Sequence, residues 1–310
     1  MKTAQSPIHS GFGADTTAAE IAAGHDLTGK VAVVTGGTSG LGYATATALA
    51  AQGATVVVGA RSADRLHGKF TFFPLDLADP ASVDKFSESF LNEHGTLHFL
   101  FNNAGIMRPP EFQRDGRGYE LQFGVNHLGH FQLTGRLWPA LSRGRARVVT
   151  LSSIGHRAMG VQLDDLNFDR HPYDKVKAYA QSKTANALFA VELDRIGQAH
   201  GVRAFAVHPG AILTDIFRYM PQDERVAWVQ RVKNFKTPEQ GAATSVWCAL
   251  SDQLQDRGGV YCEDCDVAEL VPDDSPATYG VRSFAVDPAT ATALWQVSEA
   301  ATGIRYVKSF

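Results

Sequence analysis

A tyrosine and a lysine lie four residues apart in the segment AYAQSKTANAL, residues 178–188. If this segment is helical, Tyr179 and Lys183 lie on one face, one turn from each other. Such a pair could transfer a proton, because a nearby positive charge favours the phenolate form of a tyrosine. The same spacing is also typical of an exposed helical pair that contributes only a few tenths of a kcal/mol. The rest of the chain has to decide between these interpretations.

Composition argues against several classes of function. The 310 residues are 44% hydrophobic and 20% charged, which is typical of a globular protein, and the length suits one large α/β domain. A formal net charge of -3 provides no basic field for nucleic acid or an anionic membrane. The longest apolar runs, VAVVTGG and ATVVVGA, are much shorter than a membrane span. We therefore expect neither nucleic acid nor a membrane as a partner.

The cysteines and the N-terminus indicate a compartment. The three cysteines, Cys248, Cys262 and Cys265, suit a reducing environment, and residues 1–20 lack the basic-then-apolar order of a signal peptide. We therefore expect a cytoplasmic protein. The CEDC segment at 262–265 has no second cysteine pair or histidine pair at zinc spacing, so we expect packing thiols at a strand end and no metal site.

Short β-branched segments alternate with longer helical patterns from Lys30 onward. Continuous apolar strands separated by helices indicate a parallel sheet that is covered on both faces. The predicted fold class is therefore α/β, with a single doubly wound parallel sheet and helices on both faces. The strands are predicted at KVAVVTG, ATVVVGA, KFTFFPL, TLHFLFN, ARVVTLSS, VRAFAVHPG and GGVYC, and the helices at 40–53, 80–94, 115–142, 173–200 and 238–250.

No repeat, low-complexity block or linker divides the chain. Residues 1–28 show little periodicity and are expected to form an N-terminal surface arm. We expect the domain proper to span 29–266. Residues 267–310, which begin with a segment rich in proline and aspartate, are expected to wrap around the same domain as a C-terminal extension.

The first strand-to-helix turn reads TGGTSGLG, from Thr35 to Gly42. In a doubly wound fold, ligands bind beyond the carboxyl ends of the strands, at the point where the strand order reverses. Gly36 can turn sharply, Gly40 lets the backbone approach a pyrophosphate, and Gly42 allows the helix to pack closely. A glycine-rich turn without a ligand is the alternative, but the position between a strand and a helix favours dinucleotide binding.

The spacing TGxxxGxG resembles that of the short-chain dehydrogenase/reductase family, and further motifs follow in the family's order. The resemblance covers roughly residues 28–265 and implies a Rossmann fold. The phrases GVNHLGHF, AYAQSK and AVHPG resemble the retinol-dehydrogenase-like branch of the family. The matching motifs are Asp76 in PLDLAD, NNAG at 102–105, Asn126 in GVNHLGHF, Ser153 in TLSS, the Tyr179–Lys183 pair in YAQSK, and PG at 209–210 followed by Thr214.

The resemblance implies an NAD(P)-dependent oxidoreductase that interconverts an alcohol and a ketone or aldehyde. Tyr179 would be the acid/base, with a pKa lowered by Lys183 and by the oxidised nicotinamide. Lys183 would also bind the nicotinamide ribose, Ser153 would polarise the substrate carbonyl, and Asn126 would hold a relay water. Ser152 is the neighbouring alternative, but the family pattern uses the second serine. The expected cofactor contacts are Gly36, Thr38, Ser39, Gly40, Leu41, Gly42, Arg61, Asp76, Leu77, Asn103, Ala104, Gly105, Tyr179, Lys183, Pro209, Gly210, Ile212 and Thr214.

The end of the second strand bears on the choice of cofactor. An enzyme that selects NAD places an acidic residue there to bind the ribose 2′-hydroxyl. This chain has Ala60 and then Arg61, whose guanidinium could pair with a 2′-phosphate. We therefore expect NADP(H) to be preferred, with NAD(H) possible. The alternatives are that Arg61 is a solvated loop residue or that Arg65 shares the work.

Two segments depart from the family pattern. The stretch between Arg61 and Asp76 is short and leaves little room for the usual helix. The insert 154–178 is long, and it is expected either to line the mouth of a substrate pocket or to form a solvated loop with a few anchors. Together with residues 211–237, it forms the expected substrate region.

Several further assignments remain open at this stage. Asn103 could brace the sheet instead of contacting the cofactor, and packing or capping is expected for the four histidines His127, His130, His156 and His208. We expect a moderately large apolar alcohol or carbonyl substrate and a homodimer or homotetramer formed through helices 115–142 and 173–200. Reduction of a double bond, or cofactor sensing without turnover, are the alternative functions.

Overall fold

A computed structural model of the protein describes residues 5–232 and 234–306. Its centre is an eight-stranded sheet in the order β3-β2-β1-β4-β5-β6-β7-β8, in which only β8 is antiparallel to its neighbour. The sheet strands are β1 Val31–Thr35, β2 Thr55–Ala60, β3 Thr71–Pro74, β4 Phe99–Asn102, β5 Arg147–Leu151, β6 Arg203–His208, β7 Val260–Glu263 and β8 Asp266–Val267. Strands β9 Leu270–Val271 and β10 Val281–Arg282 form a separate parallel pair.

The helices cover both faces of this sheet. Their bounds are α1 Ala18–Ala22, α2 Gly40–Ala51, α3 Pro80–Glu93, α4 Leu121–Phe123, α5 Gly129–Arg136, α6 Trp138–Gly144, α7 Lys175–Gly197, α8 Gln222–Arg231, α9 Pro238–Leu250 and α10 Pro288–Thr302. The predicted doubly wound α/β fold is confirmed, and all seven predicted strands are present. The strand order reverses between β1 and β4, which opens a crevice at their carboxyl ends.

The alternation of side chains along β1 explains why residues 31–34 are all apolar. Val33 packs into the layer formed with α3, α5, α7 and α10, whereas Ala32 and Val34 pack into the layer formed with α1, α2 and α9. Successive strand residues point to opposite faces, so a strand that is covered on both faces needs apolar residues at every position.

A parallel sheet had been predicted, but its last strand, β8, is antiparallel to β7. After β7 the chain turns back through Asp264 and Cys265, whose φ angles of 48° and 59° lie in the left-handed region. Glu263 then pairs with Asp266 in an antiparallel register. A two-residue turn with both central residues in this region matches the twist of a hairpin, which is why β8 runs backwards.

The predicted helix 115–142 begins only at Leu121 and is not continuous. Asp115 forms a side-chain turn instead, because its Oδ1 accepts the backbone N–H groups of Arg117 and Tyr119, each at 2.9 Å. Beyond α4, the segment Gly124–Leu128 is a π-helical turn, so α5 starts at Gly129. The π-turn places Asn126 at a break in the helical hydrogen-bond pattern.

Three helices were not predicted, and two of them lie in the terminal segments. The expected surface arm contains α1, which packs against α9. Its Ile21 is buried in the apolar layer that contains α9. The C-terminal extension contains α10, which starts after its N-cap Asp287 and packs along α7. The third, α8, has no buried residue among those described.

Helix α10 packs against one face of α5 and α7. The Trp295 ring stacks on Phe189 at 5.7 Å and meets Phe131 at 4.8 Å. Four apolar side chains of these helices are buried within the chain itself: Leu133, Leu137, Leu188 and Phe189. None of the helices within 5–232 and 234–306 combines the length and the apolar character needed to cross a bilayer.

Replacing Trp295 by alanine should strongly destabilise the protein. The indole is only 8% exposed and fills the space between α5, α7 and Tyr306, so its loss leaves a cavity. We expect the free energy of unfolding to fall by about 3–5 kcal/mol in chemical denaturation. Phe12→Ala is the matched control, since Phe12 is 47% exposed. Equal losses in the two variants would contradict the proposed packing of α10.

Candidate active site

The turn between β1 and α2 is shaped for a phosphate group. Gly36 and Gly40 have φ angles of 66° and 53°, where glycine is favoured over residues with a side chain. A Cβ on Gly42 would lie 2.4 Å from the Gly36 carbonyl oxygen, so α2 can approach β1 only without a side chain there. Ser39, the N-cap of α2, makes no side-chain capping bond, which leaves the first-turn N–H groups free to bind an anion.

A hydrogen-bonded brace holds the crevice open between β1 and β4. The Thr35 Oγ1 accepts the backbone N–H groups of Asn103 and Ala104, each at 2.9 Å. The Asn103 Nδ2 in turn donates to the Thr35 carbonyl at 2.8 Å. The Asn103 side chain therefore braces β1 against β4, and it lies directly beside the glycine turn.

The predicted cofactor residues lie in loops at the carboxyl edge of the sheet or on helices next to it. The loop after β6 closes on the glycine turn, since a Cβ on Gly40 would lie 3.4 Å from the Thr214 Cγ2. The predicted residues lie after β1 (Gly36, Thr38, Ser39, Gly40, Leu41 and Gly42), after β2 (Arg61), after β3 (Asp76 and Leu77), after β4 (Asn103, Ala104 and Gly105), after β6 (Pro209, Gly210, Ile212 and Thr214) and on α7 (Tyr179 and Lys183).

The end of this crevice beside β2 lacks a helix, as expected from the short sequence. Residues 61–70 contain no helix, and Arg61 is exposed directly after β2. Arg65 forms an ion pair with Asp215, which joins the loops after β2 and β6. The Asp76 Oδ1 accepts the Ala78 N–H at 2.9 Å, so this carboxylate already caps its own turn.

Lys183 projects from α7 into the buried floor of the site. Its Nζ donates to the Leu151 carbonyl at 2.9 Å and lies 5.7 Å from the centre of the Tyr179 ring. Burial lowers the pKa of Lys183 to about 7. The ammonium group therefore loses its proton near neutral pH instead of being permanently charged.

Asn126 is fixed next to Lys183. Its Oδ1 accepts the Ile106 N–H at 2.9 Å, and its Nδ2 donates to the Ile106 carbonyl at 3.0 Å and to the Ser182 hydroxyl at 2.9 Å. A Cβ on Gly105 would lie 3.1 Å from the Asn126 Oδ1 and 3.6 Å from the Lys183 Nζ. These two polar atoms therefore flank the same backbone position.

The two adjacent serines face different partners. The Ser152 hydroxyl is buried and donates to the Lys183 carbonyl at 2.7 Å. The Ser153 Oγ accepts the Gly155 N–H at 3.0 Å and lies near the Tyr179 hydroxyl.

Burial dominates the titration of Tyr179 in the protein itself. It raises the pKa of Tyr179, which is opposite to the direction expected from the sequence, whereas Ser153 and Arg108 lower it. A lowering of the pKa by Lys183 and the oxidised nicotinamide was expected from the sequence, whereas a contribution from Arg108, which follows Met107 in the loop after β4, was not predicted. Arg108 has a φ of 54°, and its backbone N–H donates to the Gln122 Oε1 at 2.7 Å. The buried Arg108 Nε has no hydrogen-bond partner among the described residues.

An apolar cluster surrounds the Tyr179 ring. Met107 and Phe217 are buried against it, and Trp228 packs on Phe217 with ring centres 4.4 Å apart. Ile216 and Met220 are partly buried against the same cluster. Only the general range 211–237 had been predicted, because the contact between this segment and Tyr179 is tertiary.

The insert 154–178 lines a separate cavity of about 550 Å³ that is open to solvent on one side. Met159, Phe168 and Tyr173 contribute apolar surface to its lining, and Lys177 adds a charge. None of the four predicted catalytic residues lines this cavity. Asp165 anchors the insert by accepting the Asp169 and Arg170 backbone N–H groups at 2.7 and 3.0 Å.

The four histidines make structural contacts, and burial is the main cause that lowers the pKa of each. The His130 Nε2 lies 2.9 Å from the Thr35 Oγ1, and its Nδ1 lies 2.9 Å from the Asn126 carbonyl. The His127 Nε2 lies 2.7 Å from the Ser298 hydroxyl, and the His208 Nδ1 accepts the Ile154 N–H at 3.3 Å. His156 contacts the Ser153 carbonyl at 2.7 Å. The pKa is lowered to about 3 for His127 and His208 and to about 4 for His130 and His156.

The three cysteines are free and buried, with Cys262 in β7 and Cys265 in the turn that follows it, whereas Cys248 lies in α9. In the described part of the chain, no group of three or more His, Cys, Asp or Glu residues is placed to hold a metal ion.

The known proteins with similar sequences include oxidoreductases and dehydrogenases. A family model described as short chain dehydrogenase matches residues 30–225. A probable oxidoreductase from Streptomyces antibioticus is 41% identical over 87% of this chain and 97% of its own length. Retinol dehydrogenase 12 from Mus musculus is 39% identical over 90% of this chain and 88% of its own.

Two solved structures resemble the fold. An uncharacterised protein from Mycobacterium paratuberculosis has a TM-score of 0.72 at 32% identity, covering 95% of this chain and all of its own. The Pseudomonas aeruginosa RhlG/NADP active-site complex has a TM-score of 0.63 at 22% identity, over 77% of this chain and 97% of its own. At that identity the second likeness concerns the fold alone.

Gly42→Ala should damage both the packing of the turn and dinucleotide binding. The added methyl group would collide with the Gly36 carbonyl and would lie 2.6 Å from the Asn103 Nδ2. We expect a loss of about 1–3 kcal/mol in the free energy of unfolding, together with weaker binding in a fluorescence titration with NADPH. Gly95→Ala is the control, since a Cβ there meets no atom within 4 Å. A Gly42→Ala variant that matched this control would contradict the close approach of α2.

Proposed function

Because this chain belongs to the short-chain dehydrogenase/reductase family, in its retinol-dehydrogenase-like branch, we propose that it interconverts a moderately large apolar alcohol and its carbonyl compound with NADP(H). Membership makes it an NAD(P)-dependent alcohol or carbonyl oxidoreductase. The finer proposal rests mainly on one observation, which is that Ser153, Tyr179 and Lys183 converge beside an apolar cluster at the carboxyl edge of the sheet.

The proposed chemistry divides the work between the cofactor and the side chains. When bound in the crevice along the glycine turn, NADP(H) supplies or accepts the hydride. The Tyr179 hydroxyl donates the proton to the carbonyl oxygen in reduction and removes it in oxidation. The Ser153 hydroxyl, next to Tyr179, binds the same oxygen and polarises it.

Lys183 and Asn126 provide a route for that proton. The pKa of Lys183, about 7, lies close to neutral pH, where a group exchanges protons most effectively. The Asn126 Oδ1 uses one acceptor position on Ile106 and keeps a second, on the side of Gly105 that also faces the Lys183 Nζ. A water held between these atoms would connect Lys183 to solvent. The positive charge of Arg108 favours the phenolate form of Tyr179 during oxidation.

The surroundings of Tyr179 favour an apolar substrate. Met107, Phe217 and Trp228 present apolar surface beside the phenol, and a buried apolar wall binds hydrocarbon by removing it from water. Several relatives are named retinol dehydrogenases, and their named substrate is an alcohol with a long hydrocarbon body.

The preference for NADP(H) is proposed from Arg61. Ala60 leaves the end of β2 without a carboxylate that would repel a 2′-phosphate. Arg65 is already paired with Asp215, so Arg61 is the exposed guanidinium of this loop that has no ion pair within the described residues. Its position directly after the strand suits a charge-assisted bond to the phosphate.

We also propose a division into an arm at 1–28, a dehydrogenase domain at 29–266 and a C-terminal extension at 267–310. A cytoplasmic location fits the three free thiols. A homo-oligomer would have to form through surfaces other than the one that α10 covers.

A substrate screen tests the reaction class. NADPH and NADH oxidation is followed by absorbance with ketones, aldehydes and enones of increasing apolar length, and alcohol oxidation is followed in reverse. Turnover of longer apolar ketones or aldehydes with NADPH is the expected result. Turnover of enones alone would identify a double-bond reductase, and cofactor binding without any turnover would identify a sensing protein.

Tyr179→Phe should abolish turnover and leave cofactor affinity nearly unchanged. The variant removes the transferable proton and keeps the ring in its apolar cluster. We expect kcat to fall by about 10²-fold or more, the usual contribution of a positioned acid/base. Tyr279→Phe is the matched control, because Tyr279 is 53% exposed. Normal steady-state rates in Tyr179→Phe would rule out the mechanism.

Arg61→Ala should reduce the preference for NADPH over NADH. Loss of one or two charge-assisted bonds is expected to lower the ratio of the two kcat/KM values by about ten- to a hundredfold. Arg65→Ala is the control and should change the ratio little, since Arg65 is already paired. An unchanged ratio in Arg61→Ala would show that Arg61 does not bind the phosphate. A wild-type preference for NADH would overturn the cofactor assignment.

A further inference from the structure

The imidazole of His156 is fully buried three residues after Ser153, and each of its nitrogens has a polar partner. The Arg282 backbone N–H donates to the His156 Nε2 at 3.2 Å. A backbone N–H can only donate, so the Nε2 must carry the lone pair and the Nδ1 the proton. The Nδ1–H therefore donates to the Ser153 carbonyl, 2.7 Å away. Burial lowers the pKa of His156 to about 4, so this tautomer is neutral across the physiological range.

The same histidine is connected to the helix that carries Lys183. The His156 carbonyl accepts the Thr184 hydroxyl at 3.1 Å. The hydroxyl of the buried Tyr261 lies 3.3 Å from the His156 Nδ1, and Tyr261 also contacts Ser152. Ser152 in turn holds the Lys183 carbonyl at 2.7 Å. His156, Tyr261 and Ser152 thus connect the backbone of Ser153 to that of Lys183.

The C-terminal extension contacts both His156 and its neighbour Arg157. Arg282 belongs to β10, and its guanidinium donates to the carbonyls of Pro272 and Ser275. Arg157, the neighbour of His156, donates to the carbonyls of Ala277 and Tyr279. These bonds fix the segment 272–282 against the loop that follows Ser153. The segment lies beyond residues 30–225, which the family model matches.

We propose that His156 is a positioning residue, whose Nδ1–H holds the Ser153 carbonyl and so keeps the Ser153 hydroxyl beside Tyr179. The inference rests on the proposed function, since it assigns a purpose to the position of Ser153. A displacement of about 1 Å at a group that orients the substrate can cost about 10²-fold in rate, so a fixed carbonyl next to the serine has a direct effect on turnover.

Two variants of the full chain test the two hydrogen bonds of the His156 imidazole one at a time. In His156→Asn, the amide nitrogen takes the place of the Nδ1 and can still donate to the Ser153 carbonyl. In His156→Gln, the amide reaches the place of the Nε2 and can accept the Arg282 N–H, but it offers no donor to Ser153. Glutamine also fills more of the cavity than asparagine does. A role in packing alone therefore predicts that His156→Gln is the milder change.

The positioning role predicts the opposite order. We expect His156→Gln to lower kcat by about 10-fold or more, with KM and NADPH affinity within about threefold of wild type, and His156→Asn to keep kcat within about threefold. Thermal unfolding of both variants reports the packing contribution separately. Equal losses of kcat, or a greater loss in His156→Asn, would overturn the proposal. Absence of turnover in the wild type would instead contradict the proposed function.

A measurement on the unmodified protein keeps the inference testable if both variants fail to fold. Nitrogen-15 NMR of histidine-labelled protein should show a neutral His156 protonated at the Nδ1, with a proton that exchanges slowly with solvent. This readout does not depend on activity. Protonation at the Nε2, or rapid exchange of the Nδ1 proton, would show that the bond to Ser153 is not made and would overturn the proposal.

Discussion

The site depends on one physical constraint, which is that polar groups buried at the carboxyl ends of β1 and β4 must find partners inside the protein. An unpaired buried amide or hydroxyl costs about 1–3 kcal/mol, so such groups are satisfied in pairs or networks. Thr35 meets this need by holding the Asn103 and Ala104 N–H groups, and it also lies within hydrogen-bond distance of His130. The crevice created by the reversal of strand order therefore has a rigid floor, on which the glycine turn, Asn126 and Lys183 are arranged.

Burial also sets the electrostatics of the site. It disfavours charge on both partners, because it raises the pKa of Tyr179 and lowers the pKa of Lys183. Both shifts bring the two groups toward a neutral resting pair, so the ionised forms depend on the charges that approach them. Arg108 is a nearby cation that favours the ionised form of Tyr179. Its left-handed backbone is held by Gln122, which keeps Arg108 in the loop beside Met107.

Much of the framework could be predicted from the sequence because its causes are local. β1 is apolar from Val31 to Val34 since it is covered on both faces, and α9 has the predicted bounds because Thr237 and Pro238 mark its start. The position of α10, the direction of the Tyr179 pKa shift and the contribution of Arg108 could not be predicted in this way. Each depends on contacts between segments far apart in the chain, such as Phe189 with Trp295 or Met107 with Phe217.

The packing of α10 has a consequence for synthesis on the ribosome. The inner face of α7 is covered by α10, whose residues come about a hundred positions later in the chain. In the same way, α1 packs against α9, which is synthesised much later. Contacts between segments so distant in sequence form late and slow the folding of a domain. The growing chain therefore keeps its aromatic core uncovered until α10 has been synthesised, and apolar surface that is exposed in this way is prone to aggregation.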